Sequence, residues 1–205
     1  VIVDESHHAR SDLSLEMLEN FNPCFVLDLT ATPKKESNII SYVDAVQLKT
    51  ENMVKLPVIV YNRDSQSDVL IDSIDLRNKL EELANAEYAK AGKYIRPIAL
   101  FQAQPKGKED ATTFEKLRDK LVDAGIPAEQ IAIRTADVNE LKNVDLMSPD
   151  CPVRYIITVN ALKEGWDCPF AYILASLANK TSQVDVEQIL GRILRLPHTS
   201  QHTQA

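Results

Sequence analysis

The chain lacks the features that mark membrane-spanning, disulfide-bonded and zinc-binding proteins. No stretch of the sequence approaches the roughly 20 consecutive apolar residues of a transmembrane helix, and no secretory signal peptide is visible. The cysteines Cys24, Cys151 and Cys168 show no C-x-x-C spacing, so the sequence predicts neither a disulfide framework nor a zinc site. These properties predict a protein of the reducing cytoplasm with no membrane contact.

The chain also lacks an excess of basic residues. Its 23 Lys and Arg residues against 30 Asp and Glu residues give a formal net charge of -7 at pH 7. A basic footprint is the first feature expected of a nucleic-acid-binding module, so this balance argues against a sequence-specific DNA-binding domain. It remains compatible with a motor that holds a phosphate backbone through a few loops.

The composition, 44% hydrophobic and 26% charged, is typical of a globular protein. A length of 205 residues allows one large domain or two small ones. The sequence opens on VIVDESHH, without an initiator Met and with the pattern of a buried strand from the first residue. We therefore expect the chain to be an internal piece of a longer protein.

Short β-branched runs alternate with amphipathic stretches of helical length. Strands are predicted at 1–3, 25–29, 45–48, 56–61, 97–101, 131–133, 153–159 and 172–177. Helices are predicted at 13–21, 68–91, 113–124, 138–146 and 184–195. This alternation predicts an α/β fold built on parallel sheets that are covered on both faces.

The tetrapeptide Asp4-Glu5-Ser6-His7 follows the first predicted strand. Parallel sheets place ligands at the carboxyl ends of their strands. Asp4 is therefore a candidate to hold Mg²⁺ through water, because this ion takes few carboxylates and keeps its own waters. Glu5 is a candidate to orient or deprotonate an attacking water. The alternative is a polar loop after an edge strand.

Two other loops at predicted strand ends carry polar residues. Thr30 and Thr32 follow the second strand, where their hydroxyls can bond neighbouring loops and relay a change, or can form an ordinary turn. Gly165 and Asp167 lie after the strand at 153–159. The glycine suits a backbone position with positive φ, and the carboxylate can accept a hydrogen bond from an arginine or a ribose hydroxyl.

The segment VDVEQILGRILRLP, residues 184–197, contains the pattern Q-x-x-G-R-x-x-R. On a helix, Gln188, Arg192 and Arg195 project from one face, and Gly191 leaves room beside them for another backbone or a ligand. Guanidinium groups suit phosphate oxygens, so this face is a candidate phosphate contact. The alternative is an amphipathic helix with solvated arginines.

The strings DESH (4–7), TATP (30–33), NALKEGWDCP (160–169) and QILGRILR (188–195) resemble, in this order, four motifs of superfamily-two helicases and translocases. They correspond to the Walker B motif and to motifs III, V and VI. The fuller strings at 43–62, 95–105 and 158–177 look most like the Res subunit of type III restriction-modification enzymes.

The resemblance implies two RecA-like domains of the P-loop NTPase type. Residues 1–50 would end the first domain and residues 51–205 would form the second, with ATP and Mg²⁺ held in the cleft. It also implies movement along double-stranded DNA, a modification methyltransferase subunit as partner, and cleavage by a nuclease domain elsewhere in the protein.

The resemblance also assigns roles to individual residues. The catalytic roles fall to Glu5, Arg192 and Arg195. The roles at the nucleotide and its Mg²⁺ fall to Asp4, His7, Gly165, Asp167 and Gln188. Coupling of hydrolysis to movement falls to Thr30 and Thr32.

The departures from the family pattern keep two alternatives open. The chain has no phosphate loop of the form G-x-x-x-x-G-K-S/T and no nuclease signature. A non-catalytic module with a nucleotide-binding-like fold is therefore one alternative. A fragment of an RNA helicase is the other.

Overall fold

The computed structural model describes residues 1–4, 6, 11–30, 38–105, 112–159, 168–177, 190–191 and 193–199. The chain divides into two compact units, Val1–Asp44 and Ala45–Ala205. Among the residues described, none of the helices combines the length and hydropathy that a bilayer-spanning segment requires.

The described residues of the first unit form a two-stranded parallel sheet and one helix. Strand β1 (Ile2–Asp4) pairs with β2 (Leu27–Leu29), and helix α1 (Asp12–Asn20) lies between them in sequence. Helix α1 begins where the Ser11 hydroxyl accepts a hydrogen bond from the Ser14 N–H at 3.2 Å, which satisfies one amide of the first turn. The strands and the helix predicted in this part of the chain are confirmed.

The second unit is organised around a four-stranded parallel sheet. Its strands are β3 (Ile98–Gln102), β4 (Ile131–Arg134), β5 (Tyr155–Thr158) and β6 (Ala171–Ser176), in the spatial order β4-β5-β3-β6. Every residue of the two central strands, β3 and β5, is buried. Continuous apolar runs of this kind are typical of strands covered on both faces, so the predicted parallel α/β fold is confirmed.

In the described part of the second unit, the helices with defined bounds are α2 (Ala45–Thr50), α3 (Gln66–Ala91) and α4 (Phe114–Asp123), with 3₁₀ turns at Ala128–Gln130 and Pro197–Thr199. Helix α3 begins at a cap in which the Ser65 hydroxyl accepts from the Asp68 N–H at 3.0 Å. It ends at Gly92, whose φ of 68° is left-handed. Such a position favours glycine because it has no Cβ.

Alternate residues of each strand pack on opposite faces of this sheet. On one face, Phe101 and Tyr155 pack with Leu117 and Leu121 of α4 and with Leu70 of α3. The other face is covered by a further cluster, which includes Leu100, Ile156, Leu141, Phe170 and Ile193. Because successive side chains of a strand point to opposite faces of the sheet, each strand contributes residues to both halves of the core.

Three predicted elements are wrong. Residues 45–48 belong to helix α2, which suits the good helix formers of AVQLKT. Residues 56–61 form no strand, and Pro57 in this run has no N–H to donate to a neighbouring strand. Residues 138–146 form turns, because the Val138 carbonyl accepts from Thr135 and the Glu140 N–H donates to Ile133. These backbone groups are therefore not engaged in a helix.

Candidate functional site

In the first unit, two candidate residues lie at the same edge of the sheet. Asp4 is the last residue of β1, and Thr30 directly follows β2. The register pairs Asp4 with Leu29, so the two parallel strands end side by side. The Ser6 N–H donates to the Leu29 carbonyl at 3.4 Å, which ties the chain after β1 to the end of β2.

The Asp4 carboxylate is exposed, and Thr30 is half-buried. Within the described ranges, no group of three or more His, Cys, Asp or Glu side chains is placed to hold a metal ion. A single exposed carboxylate at a strand end fits Mg²⁺, which is commonly held by one or two carboxylates with several waters. Glu5, His7 and Thr32 lie outside the residues that the structure describes.

In the second unit, Arg195 does not lie on the predicted helix. Leu190, Gly191 and Ile193 are helical, but Arg195 forms an isolated antiparallel bridge with Val54. The Leu194 N–H still makes a helical bond to the Leu190 carbonyl, but the Leu194 carbonyl and the Leu196 N–H bond to residues 53–55, so the helix ends before Arg195. The prediction that Arg195 shares one helical face with Gln188 and Arg192 is therefore wrong for Arg195.

The helical residues before Arg195 have one side buried in the core. Ile193 is only 5% exposed and packs into the core of the sheet, with Leu190 against the same cluster. Within the described ranges, a Cβ added at Gly191 would meet no heavy atom within 4 Å, so this side of Gly191 is open. Arg195 itself is exposed. The other candidates of this unit, Gly165, Asp167, Gln188 and Arg192, lie outside the described ranges.

The sequence interpretation missed a row of polar residues at the carboxyl edge of the four-stranded sheet. Arg134, Thr158, Gln102 and Ser176 end the four strands and are register partners across it. The Ser176 hydroxyl lies 3.0 Å from Gln102 Oε1. Thr158 Oγ1 and Arg134 Nε are buried and have no hydrogen-bond partner among the residues that the structure describes. Their signal in the sequence is a polar residue at the end of each apolar run.

Beside this row, Gln104 connects two chain segments that leave the sheet edge. Its Nε2 donates to the Leu177 carbonyl at 2.8 Å, and its Oε1 accepts from the Thr112 N–H at 2.9 Å. The Thr112 hydroxyl also donates to Gln66 Oε1 at 2.6 Å. The start of α3, the segment before α4 and the end of β6 are thereby joined through side chains.

The parallel sheets, with α1 between β1 and β2 and α4 between β3 and β4, make this an α/β protein whose architecture is consistent with a RecA-like domain. Residues 1–35 are similar to the family described as Type III restriction enzyme, res subunit. The matched segment contains β1, α1 and β2 together with the strings DESH and TATP, and it supports a relation to the helicase-like part of that subunit. No curated protein matches the chain.

Proposed function

We propose that the chain is part of the superfamily-two motor of a type III restriction endonuclease, which couples ATP hydrolysis to movement along double-stranded DNA before cleavage. One observation carries this proposal. In the segment similar to the Res subunit, Asp4 and Thr30, which begin the two polar strings, lie at the neighbouring carboxyl ends of β1 and β2, which is where parallel sheets hold ligands.

In this proposal, the residues after β1 serve the hydrolytic step. Asp4 would hold Mg²⁺ through water, and Glu5 would orient or deprotonate the attacking water. His7 links this site to the arginine motif. Mg²⁺ supplies the neutralisation of charge on the phosphate oxygens when it is bound with ATP.

The remaining assigned residues sense or stabilise the nucleotide. Thr30 and Thr32 relay the state of the nucleotide to the rest of the motor. Gly165, Asp167 and Gln188 contact ATP or position the groups that do so. Arg192 and Arg195 direct guanidinium groups at the charge that develops on the γ-phosphate.

We further propose that the protein acts in the cytoplasm with a modification methyltransferase subunit as partner. The phosphate loop and the nuclease would come from other parts of the complete gene product, because this chain contains neither motif. Backbone amides and the lysine of a phosphate loop normally hold the β- and γ-phosphates.

The substitution Glu5→Gln tests the proposal. It keeps the size of the side chain and removes the carboxylate that would orient water. In the complete gene product, we expect ATP binding to persist and DNA-stimulated phosphate release to be lost. Binding is measured with a fluorescent ATP analogue, and turnover is measured with double-stranded DNA and with RNA in parallel. Unchanged turnover in Glu5→Gln would refute the role of this strand end, and stimulation by RNA alone would favour an RNA helicase.

The absence of a phosphate loop from these 205 residues favours one other candidate function, a module with a nucleotide-binding-like fold that does not hydrolyse ATP. This candidate predicts that the complete gene product shows no ATP turnover. Measurable DNA-stimulated turnover in the unaltered protein therefore separates the two functions before any variant is made.

A further inference from the structure

Residues 53–55, which we call the strap, run antiparallel to residues 194–196. The Lys55 N–H donates to the Leu194 carbonyl at 2.6 Å, and the Leu196 N–H donates to the Met53 carbonyl at 2.9 Å. Val54 and Arg195 are the bridge partners between these two bonds. The backbone of Arg195 is therefore held on both sides by the strap.

The strap is in turn fastened to the four-stranded sheet by the side chain of Lys55, which is half-buried. Its Nζ donates to the Pro169 carbonyl at 3.0 Å and to the Ala171 carbonyl at 2.6 Å. The same nitrogen lies 4.2 Å from the centroid of the Tyr172 ring. An ammonium group has three donors and is attracted to an aromatic face. The Lys55 ammonium therefore makes two hydrogen bonds through its N–H groups and a cation–π contact through its charge.

These contacts connect β6 to the backbone of Arg195 without interruption. Ala171 and Tyr172 are the first residues of β6, whose later residues lie in the core. Lys55 joins this rigid strand to the strap, and the strap holds the backbone of Arg195.

We propose that Lys55 is a positioning residue for Arg195. This inference rests on the proposed function, because it requires Arg195 to act on the nucleotide. Lys55 sets where the guanidinium is presented, without touching the reacting atoms. A misplacement of about 1 Å costs on the order of 100-fold in rate, so loss of this attachment should lower turnover more than ATP binding.

The first test compares Lys55→Met with Lys55→Arg in the complete gene product. Lys55→Met keeps an apolar stem and removes the donors, so we expect kcat for DNA-stimulated ATP hydrolysis to fall about 10- to 100-fold, with KM for ATP changed much less. Lys55→Arg retains the charge and several donors and should restore most of kcat. Lys49→Met is the matched control, since Lys49 is an exposed lysine of α2, and it should leave kcat unchanged.

The second test is a double-mutant cycle with Arg195→Ala. If Lys55 acts through Arg195, adding Lys55→Met to Arg195→Ala should lower kcat no further, because interacting residues are not additive. A merely structural role would lower kcat by the same factor in both backgrounds and would overturn the inference. Normal kcat in Lys55→Met would also overturn it.

The two proposals fail in different ways. If Arg195→Ala leaves kcat unchanged, the proposed role of the arginine motif is refuted, whatever Lys55→Met does. If Arg195→Ala is slow while Lys55→Met is normal, only the role of Lys55 is refuted. Circular dichroism and thermal unfolding check the fold of each variant. Should Lys55→Met fail to fold, Lys55→Gln, which keeps an N–H donor without the charge, is measured against the same two criteria.

Discussion

Replacement of Arg195 by alanine should separate catalysis from folding. The strap bonds use the backbone of the neighbouring residues Leu194 and Leu196, and alanine keeps the backbone at position 195. The Arg195 side chain is exposed, and substitutions at exposed positions usually change stability by no more than about 0.5 kcal/mol. The thermal unfolding temperature should therefore stay close to that of the unaltered protein.

The expected effect on turnover is much larger. An arginine that meets the charge growing on the γ-phosphate contributes roughly 10³–10⁵ in rate, or about 4–7 kcal/mol at 1.36 kcal/mol per tenfold. Arg192 is proposed to stabilise the same charge, so part of the transition-state stabilisation should remain in Arg195→Ala. We therefore expect Arg195→Ala to lower turnover by at least about 100-fold. Arg192→Ala should act similarly, with a greater loss of ATP affinity.

The assay is phosphate release by the complete gene product with saturating double-stranded DNA and ATP. Lys142→Ala is the control, because Lys142 is exposed in a turn of the second unit and an exposed charge contributes only about 0–1 kcal/mol. Equal turnover in Arg195→Ala and Lys142→Ala would refute the reasoning, since Arg195 would then be an ordinary surface residue.

Three other predictions concern the isolated chain. Residues 1–205 should show no ATP turnover, because they contain no phosphate loop; DNA-stimulated phosphate release above background would contradict this. Arg96 is 1% exposed and donates to the carbonyls of Leu146 and Ser148, so Arg96→Met should lower the free energy of unfolding by about 3 kcal/mol. Urea titration measures this loss, with the exposed Lys142→Met as control; equal midpoints would show that the buried guanidinium contributes nothing. Burial raises the pKa of Tyr172, so the folded chain keeps the phenol proton where the unfolded chain loses it, and the free energy of unfolding should fall as pH rises above about 10. In Tyr172→Phe, the free energy of unfolding measured by urea titration should fall less steeply with pH in this range than it does in the unaltered chain. An identical pH dependence in the two proteins would refute the role of the Tyr172 phenol.

Local sequence determined most of the regular elements. The apolar runs at 97–101 and 153–159 predict β3 and β5, because central parallel strands are apolar on both faces. Helix α3 could be predicted from its apolar spacing and from Gly92, whose left-handed φ ends the helix. The positions of Asp4 and Thr30 at strand ends could be predicted because each comes directly after a short apolar run.

Other features depend on partners that are distant in sequence, and only the tertiary structure decided them. The helical pattern of residues 184–195 extends through Arg195, yet the strap takes the backbone bonds on both sides of that residue. The run at 56–61 has strand-like composition, but it joins no sheet. Likewise, the alignment of Arg134, Thr158 and Gln102 follows from the register of parallel strands. Local pattern specifies which backbone conformation a segment favours, whereas hydrogen bonding between distant segments determines where its ends and its functional side chains lie.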